Sequence, residues 1–309
     1  MHAKPTPLGV AGHIARDIKL THTVFAMPFA LLGAFLAAGW AGRRPAWGEF
    51  ALVVVCMVLA RTVAMTVNRW ADAGIDASNP RTAGRAVPGG RVSRRAMLFA
   101  SLACAVGFVF AAAGFALFYA NVWPVLLSPI VLVVVAGYSF TKRFTWLCHL
   151  FLGFALAISP VAAAIAIEPG ALLASASGPL PSIWLLSAMV LCWVAGFDVI
   201  YALQDVEHDR SQGLFSMPSR LGVGPALWVS RALHIAAIVA LVLAWYGSPL
   251  LGTLFGVAVL LTGALLILEH TLVWGSKTNH LSMAFFTVNG VISLLLGAAG
   301  ILDVVLAIR

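Results

Sequence analysis

The sequence predicts an all-α membrane protein, a polytopic bundle of about nine transmembrane helices with no soluble domain. Three observations carry that prediction. Of its 309 residues, 61% are hydrophobic and only 10% are charged, where a soluble domain carries about 25% charged residues. The mean hydropathy is +0.99, so the chain lacks the polar groups to cover its own surface in water. Its apolar residues also fall into runs of about twenty, the length at which a helix crosses a hydrocarbon core.

By that ruler the spans run over 21–41, 48–70, 96–119, 122–140, 146–167, 182–203, 226–246, 250–268 and 281–307. Pro124 and Pro129 interrupt the fourth, which membrane helices tolerate because neighbours satisfy the freed backbone groups. The longest polar stretches, 71–95 and 204–225, are loops. The first apolar run passes straight into further spans without a small-residue cleavage site, so no removable signal peptide is expected. Residues 1–309 therefore read as one integral membrane domain, built from two pseudo-repeats of roughly 1–140 and 141–309.

Charge sets the orientation. With the N-terminus cytoplasmic, the N-terminal tail and even-numbered loops carry fourteen basic residues: Lys4, Arg16, Lys19, Arg69, Arg81, Arg85, Arg91, Arg94, Arg95, Lys142, Arg143, Arg210, Arg220 and Lys277. The opposite face carries three, Arg43, Arg44 and Arg309. That asymmetry is the positive-inside pattern. It also accounts for the formal charge of +8, so nucleic acid is not expected as a partner. The four cysteines, Cys56, Cys104, Cys148 and Cys192, lie singly in or beside apolar runs without C-x-x-C spacing, which argues against disulfides and structural zinc.

The acids are informative because there are only eleven. Six of them, Asp72, Asp76, Asp198, Asp205, Glu207 and Asp209, fall at the ends of the second and sixth spans. The first cluster reads N-x-x-x-D-x-x-x-D over Asn68, Asp72 and Asp76; the second reads Asp198-x-x-Tyr201-x-x-Gln204-Asp205-x-x-x-Asp209. Residues four apart share a helix face, so Asn68, Asp72 and Asp76 form one polar stripe and Asp205 and Asp209 another, with Asp198 on the same face. Spans two and six run in the same direction, which brings both motifs out on the cytoplasmic side. Facing carboxylates repel and are costly beside hydrocarbon. A hard dication removes that cost. Mg²⁺ takes few protein carboxylates and completes its shell with water and phosphate oxygens, so two such motifs suit a diphosphate whose departure needs charge neutralisation.

Cations answer these acids. The loop after span two, Asn79-Pro-Arg81-Thr-Ala-Gly-Arg85, and the segment Tyr138-Ser-Phe-Thr-Lys142-Arg143 place bases on the same side. Arg offers phosphate a planar fork and Lys a mobile point charge. Arg61 lies within span two, seven residues before Asn68 and on its face; an arginine inside a membrane marks a functional site by default. It is a candidate for holding an acidic acceptor. His22 is a weaker pocket candidate.

Asn68-x-x-x-Asp72-x-x-x-Asp76 with Asn79-Pro80-Arg81-Thr82 and Arg85 resembles the first signature of the UbiA-type intramembrane prenyltransferase superfamily. The stretch from Asp198 through Tyr201, Gln204, Asp205 and Asp209 to Gly213, Ser216 and Pro218 resembles the second, and Tyr138–Arg143 is similar to the family's basic segment. The likeness covers essentially the whole chain. It is greatest to the 4-hydroxybenzoate polyprenyltransferase branch and to its relatives in menaquinone synthesis, which Ile18–Phe29 and Arg85–Gly90 resemble. Trp70, Ala71, Ala73 and Gly74 depart from the more charged residues usual between the first motif's acids.

The resemblance implies Mg²⁺-dependent transfer of a polyprenyl group from its diphosphate to an aromatic acid, 4-hydroxybenzoate or alternatively a dihydroxynaphthoate. Asp72, Asp76, Asp205 and Asp209, with Asn68, would hold the metal. Arg81, Arg85, Lys142 and Arg143 would hold the diphosphate. Arg61, Tyr138, Asp198 and Tyr201 would face the acceptor or the developing cation. It also implies a bacterial inner-membrane location, quinone biosynthesis, and membrane lipid rather than an obligate protein as partner. The rival from another class is a secondary transporter, whose site would sit near the bilayer midplane.

Overall fold

A computed structural model describes residues 7–18, 25–172, 181–273 and 283–308, and no strand occurs among them. The helices are α1 (Pro7–Asp17), α2 (Met27–Trp40), α3 (Trp47–Ala71), α4 (Ala73–Ser78), α5 (Arg94–Tyr119), α6 (Trp123–Thr141) and α7 (Cys148–Ile167). They continue as α8 (Ser182–Tyr201), α9 (Val206–Ser211), α10 (Met217–Leu221), α11 (Val223–Gly247), α12 (Thr253–Leu272) and α13 (Asn289–Ala307). Lys4, Lys19, His22, Lys277 and Arg309 lie outside the described residues.

Among the described residues, eight helical stretches are long and apolar enough to cross a membrane, and each overlaps one of the expected spans. The first expected span is the exception. Within its described part, α2 has only 14 residues, about 21 Å of helix against a hydrocarbon core of about 30 Å. It is an interior element: Phe29, Ala30, Leu32, Leu36, Ala37 and Ala38 are all fully buried. Being apolar on every face, α2 packs between α7 and α13, as an all-round hydrophobic helix must.

Small residues allow the close approach that membrane helices use. At Gly33 of α2 a Cβ would collide with the backbone of Pro160 in α7. On the outside, α5 presents Phe99, Phe110, Leu117 and Phe118, each more than 70% exposed. In water that would be an aggregation-prone surface; against lipid it is the expected one.

Two features at one end of the bundle set up the polar site. Ile14 of α1 and Ile18 just after it pack on Ala86, Val92 and Met97, and so seat the loop after α4. The helices carrying the two motifs also break at the motifs. α3 ends at Ala71, Asp72 joins it to α4, and a 3-10 turn over Ala202–Asp205 separates α8 from α9. In the first motif the register survives, because Asp72 donates its N–H to Asn68 O (2.9 Å) and Asp76 to Asp72 O (2.8 Å). In the second it does not. The tighter 3-10 turn changes the angular step per residue, so the expected common face of Asp198 and Asp205 is lost.

Candidate active site

Asp72 is 1% exposed and collects three donors. Lys142 Nζ (2.6 Å) and Asn68 Nδ2 (3.0 Å) bond Oδ2, while Arg143 Nη2 (2.8 Å) bonds Oδ1. Lys142 caps the end of α6, so this one carboxylate ties α3 to α6. Asp76 accepts from Arg85 Nη1 at 2.7 Å, and Thr82 Oγ1 bonds its backbone oxygen at 3.1 Å. Asp76 Oδ2 is buried with no hydrogen-bond partner among the described residues.

The second motif meets the first through the loop that follows α4. Arg81 takes Asp205 in a two-pronged pair, Nε to Oδ1 at 3.0 Å and Nη2 to Oδ2. Asn79 Nδ2 adds a bond to Oδ1 at 2.9 Å. Arg81 Nη1 also donates to the Tyr201 hydroxyl at 3.1 Å, with its guanidinium over the Tyr201 ring. Burial alone would lower the pKa of Arg81, but the hydrogen bond and charge of Asp205, with Tyr201, outweigh it and hold the guanidinium above its ordinary value. Asp209 Oδ2 accepts from Ser216 Oγ at 2.8 Å.

Four acids thus face four bases, three of the acids in direct ion pairs. Beside this cluster lies an apolar cavity of about 350 Å³ between α3, α5, α6 and α7. Along α3 it extends from Met65 to Val53, about 18 Å of helix. Arg61 and Tyr138 stand in its wall. Met65 is one turn below Asn68 and Tyr138 one turn below Lys142, so the cavity opens under the charged cluster. Arg61 Nε is buried without a hydrogen-bond partner among the described residues.

A family model describing the UbiA prenyltransferase family matches residues 26–296. The chain belongs to that family. It is 30% identical over 244 residues to a 4-hydroxybenzoate octaprenyltransferase of Chromohalobacter salexigens, covering 78% of this chain and 76% of that one. The apo structure of a UbiA homologue from Aeropyrum pernix K1 superposes with a TM-score of 0.77 at 32% identity, covering 92% and 98% of the two chains. A UbiA homologue from Archaeoglobus fulgidus, solved bound to GPP and Mg²⁺, has a TM-score of 0.71 over 95% and 99%; at 17% identity that likeness concerns the fold. This UbiA-family chain is therefore an integral membrane prenyltransferase, and the transporter alternative is set aside.

The residues present fit a hard divalent cation. Among the described residues no three carboxylates, histidines or cysteines converge as a closed metal cage. Mg²⁺ does not need one, since one or two carboxylates plus substrate phosphate oxygens suffice. The buried Oδ2 of Asp76, without a hydrogen-bond partner among the described residues, is of the right chemistry to serve such a cation, which would remove the cost of burying it.

Of the residues expected from sequence, Asn68, Asp72, Lys142 and Arg143 come together, as do Asp76 with Arg85 and Asp205 with Arg81 and Tyr201. Arg61 and Tyr138 reach the cavity instead. Asp198 turns away to His149 Nδ1 at 2.7 Å. Arg69, assigned from sequence to a loop, is a buried residue of α3: Nη1 donates to Asn68 Oδ1 (2.7 Å), and Nε lies 3.2 Å from Asp17 Oδ2, close enough for an ion pair but without hydrogen-bond alignment. Asn79, Ser216 and His149 also went unassigned. Asn79 and Ser216 sit inside the resembling motifs, a signal that was available; His149 carries none.

Proposed function

We propose that this UbiA-family enzyme transfers a polyprenyl group from its diphosphate to an aromatic acid, 4-hydroxybenzoate, in respiratory quinone biosynthesis. The observation that carries the proposal is a polar cluster of four acids and four bases set directly over an apolar cavity. Such an arrangement matches a substrate with a highly charged head and a long hydrocarbon tail. The aromatic acid is supported by the names of the relatives and by Arg61, an intramembrane cation in the cavity wall.

Asp72, Asp76, Asp205 and Asp209, with Asn68, would hold Mg²⁺, which when bound neutralises the diphosphate. Arg81, Arg85, Lys142 and Arg143, paired with carboxylates in this structure, would hold the diphosphate oxygens. The allylic C–O bond breaks with its electron pair leaving on diphosphate, the ring carbon forms the new C–C bond, and the ring proton is then lost. Tyr138 and Tyr201 present π faces that favour a nearby cation. Arg61 pairs with the acceptor carboxylate. The asymmetry of basic residues supports a cytoplasmic orientation for this face, which fits an enzyme of a bacterial inner membrane.

The test is product formation by purified protein in detergent, with Mg²⁺, a series of prenyl diphosphates, and a panel of aromatic acids read by mass spectrometry. Prenylated 4-hydroxybenzoate is the expected product. Turnover confined to a dihydroxynaphthoate would move the enzyme to menaquinone synthesis, and no prenylation of any aromatic acid would end the proposal.

A further inference from the structure

His149 of α7 is 3% exposed, and its hydrogen bonds go to none of the four acids assigned to the metal. Both of its ring nitrogens are nevertheless engaged. Nδ1 is 2.7 Å from Asp198 Oδ2 in α8. Nε2 accepts the backbone N–H of Met217, the first residue of α10, at 3.2 Å. Because Nε2 must present its lone pair to that N–H, the ring proton sits on Nδ1, where Asp198 accepts it. A neutral imidazole oriented by a carboxylate is a fixed hydrogen-bond acceptor.

What it fixes matters. Ser216, the residue before Met217, caps α10: its Oγ accepts from Ser219 N at 3.3 Å, and Ser219 Oγ accepts from Ser216 N at 2.9 Å. The same Ser216 Oγ donates to Asp209 Oδ2 at 2.8 Å. Around it, Phe215 N–H donates to Lys142 O at 2.8 Å, Leu214 N–H to Asp209 O at 2.8 Å, and Cys148 Sγ to Phe215 O at 3.3 Å. The 214–217 segment therefore joins Asp209 to the backbone of Lys142, one of the two bases that hold Asp72. His149 anchors it from inside the bundle.

We infer that His149 is a positioning residue for the second metal motif, acting through the Met217 N–H and Ser216 Oγ to hold Asp209 Oδ2 and leave the rest of the carboxylate to the cation. The inference rests on the assignment of Asp209 to the metal. Removing outer partners of this kind typically costs 10–100-fold in metal affinity or activity.

Gln and Asn at position 149 separate the two nitrogens. H149Q places an amide oxygen near the position of Nε2 and keeps an acceptor for Met217 N–H. H149N keeps a donor toward Asp198 but abandons Met217. Purified wild type, H149Q, H149N, S216A and D209A are titrated with Mn²⁺ in the presence of geranyl diphosphate, with free Mn²⁺ read by electron paramagnetic resonance. The Mg²⁺ dependence of turnover and the KM for the aromatic acid are measured alongside. Expected are a 10–100-fold weakening of Mn²⁺ binding and a matching rise in the half-saturating Mg²⁺ concentration in H149N and S216A, with the acceptor KM unchanged and H149Q closer to wild type. If H149N proves unstable, S216A carries the comparison. H149N and S216A binding Mn²⁺ like wild type while D209A does not would overturn the positioning role alone. D209A matching wild type would overturn the metal assignment beneath it.

Discussion

Arg81, in the loop that follows the first aspartate motif, grips Asp205 of the second with both prongs of its guanidinium. Two segments 124 residues apart in sequence are thereby closed into one site. In the loaded enzyme the same fork is assigned to diphosphate. R81A should raise the KM for prenyl diphosphate and lower turnover by about 10²-fold, the scale for losing one preorganised charge-stabilising donor. R81K keeps the charge but not the bidentate geometry, and should recover only part of that loss. Equal kinetics for R81A and wild type would show that the fork does not reach the diphosphate.

Chelation gives a second expectation. Excess EDTA should abolish turnover and added Mg²⁺ restore it, because without the metal the carboxylates keep the four bases and repel the diphosphate. The fold should survive, since Asp72, Asp76 and Asp205 are already partnered by Lys142, Arg143, Arg85 and Arg81. Circular dichroism in detergent checks this: loss of helical signal with EDTA would mean that the metal is structural.

Arg61 is assigned to the acceptor. R61M should raise the KM for the aromatic acid about 10–100-fold, the value of one charge-assisted hydrogen bond, and leave the KM for prenyl diphosphate little changed. The reverse pattern would place Arg61 on the diphosphate side.

Gly33 tests the packing. A methyl there meets the Pro160 backbone, and overpacking of this kind costs about 1–3 kcal/mol. G33A should lower the thermal unfolding midpoint in detergent; an unchanged midpoint would mean that α2 and α7 separate more easily than their contact indicates.

Much of this was legible in the sequence because the bilayer imposes a simple ruler. Runs of about twenty apolar residues located eight of the spans within a few residues, the last opening on a π-helical turn over Met283–Val288 ahead of α13. The exception, α2, looked like the others because burial within protein and immersion in lipid select the same composition. Helix α1 went unread although Val10, Ile14 and Ile18 recur at helical spacing, a short amphipathic signal overshadowed by the spans. The four-residue spacing correctly linked Asn68, Asp72 and Asp76. It misplaced Asp198, because nothing in Ala202–Asp205 announces a 3-10 turn. Pairings such as Arg81 with Asp205, and His149 with Asp198 and Met217, depend on tertiary approach and leave no periodic trace.

The central claim is that the two aspartate motifs act together on a prenyl diphosphate. It is tested most directly by assaying purified wild type, D72A and D205A with Mg²⁺, prenyl diphosphate and 4-hydroxybenzoate, with folding checked by circular dichroism. The account predicts Mg²⁺-dependent prenylation by wild type and a loss on the order of 10²-fold or more in each folded variant. Undiminished Mg²⁺-dependent prenylation by either folded variant would contradict it.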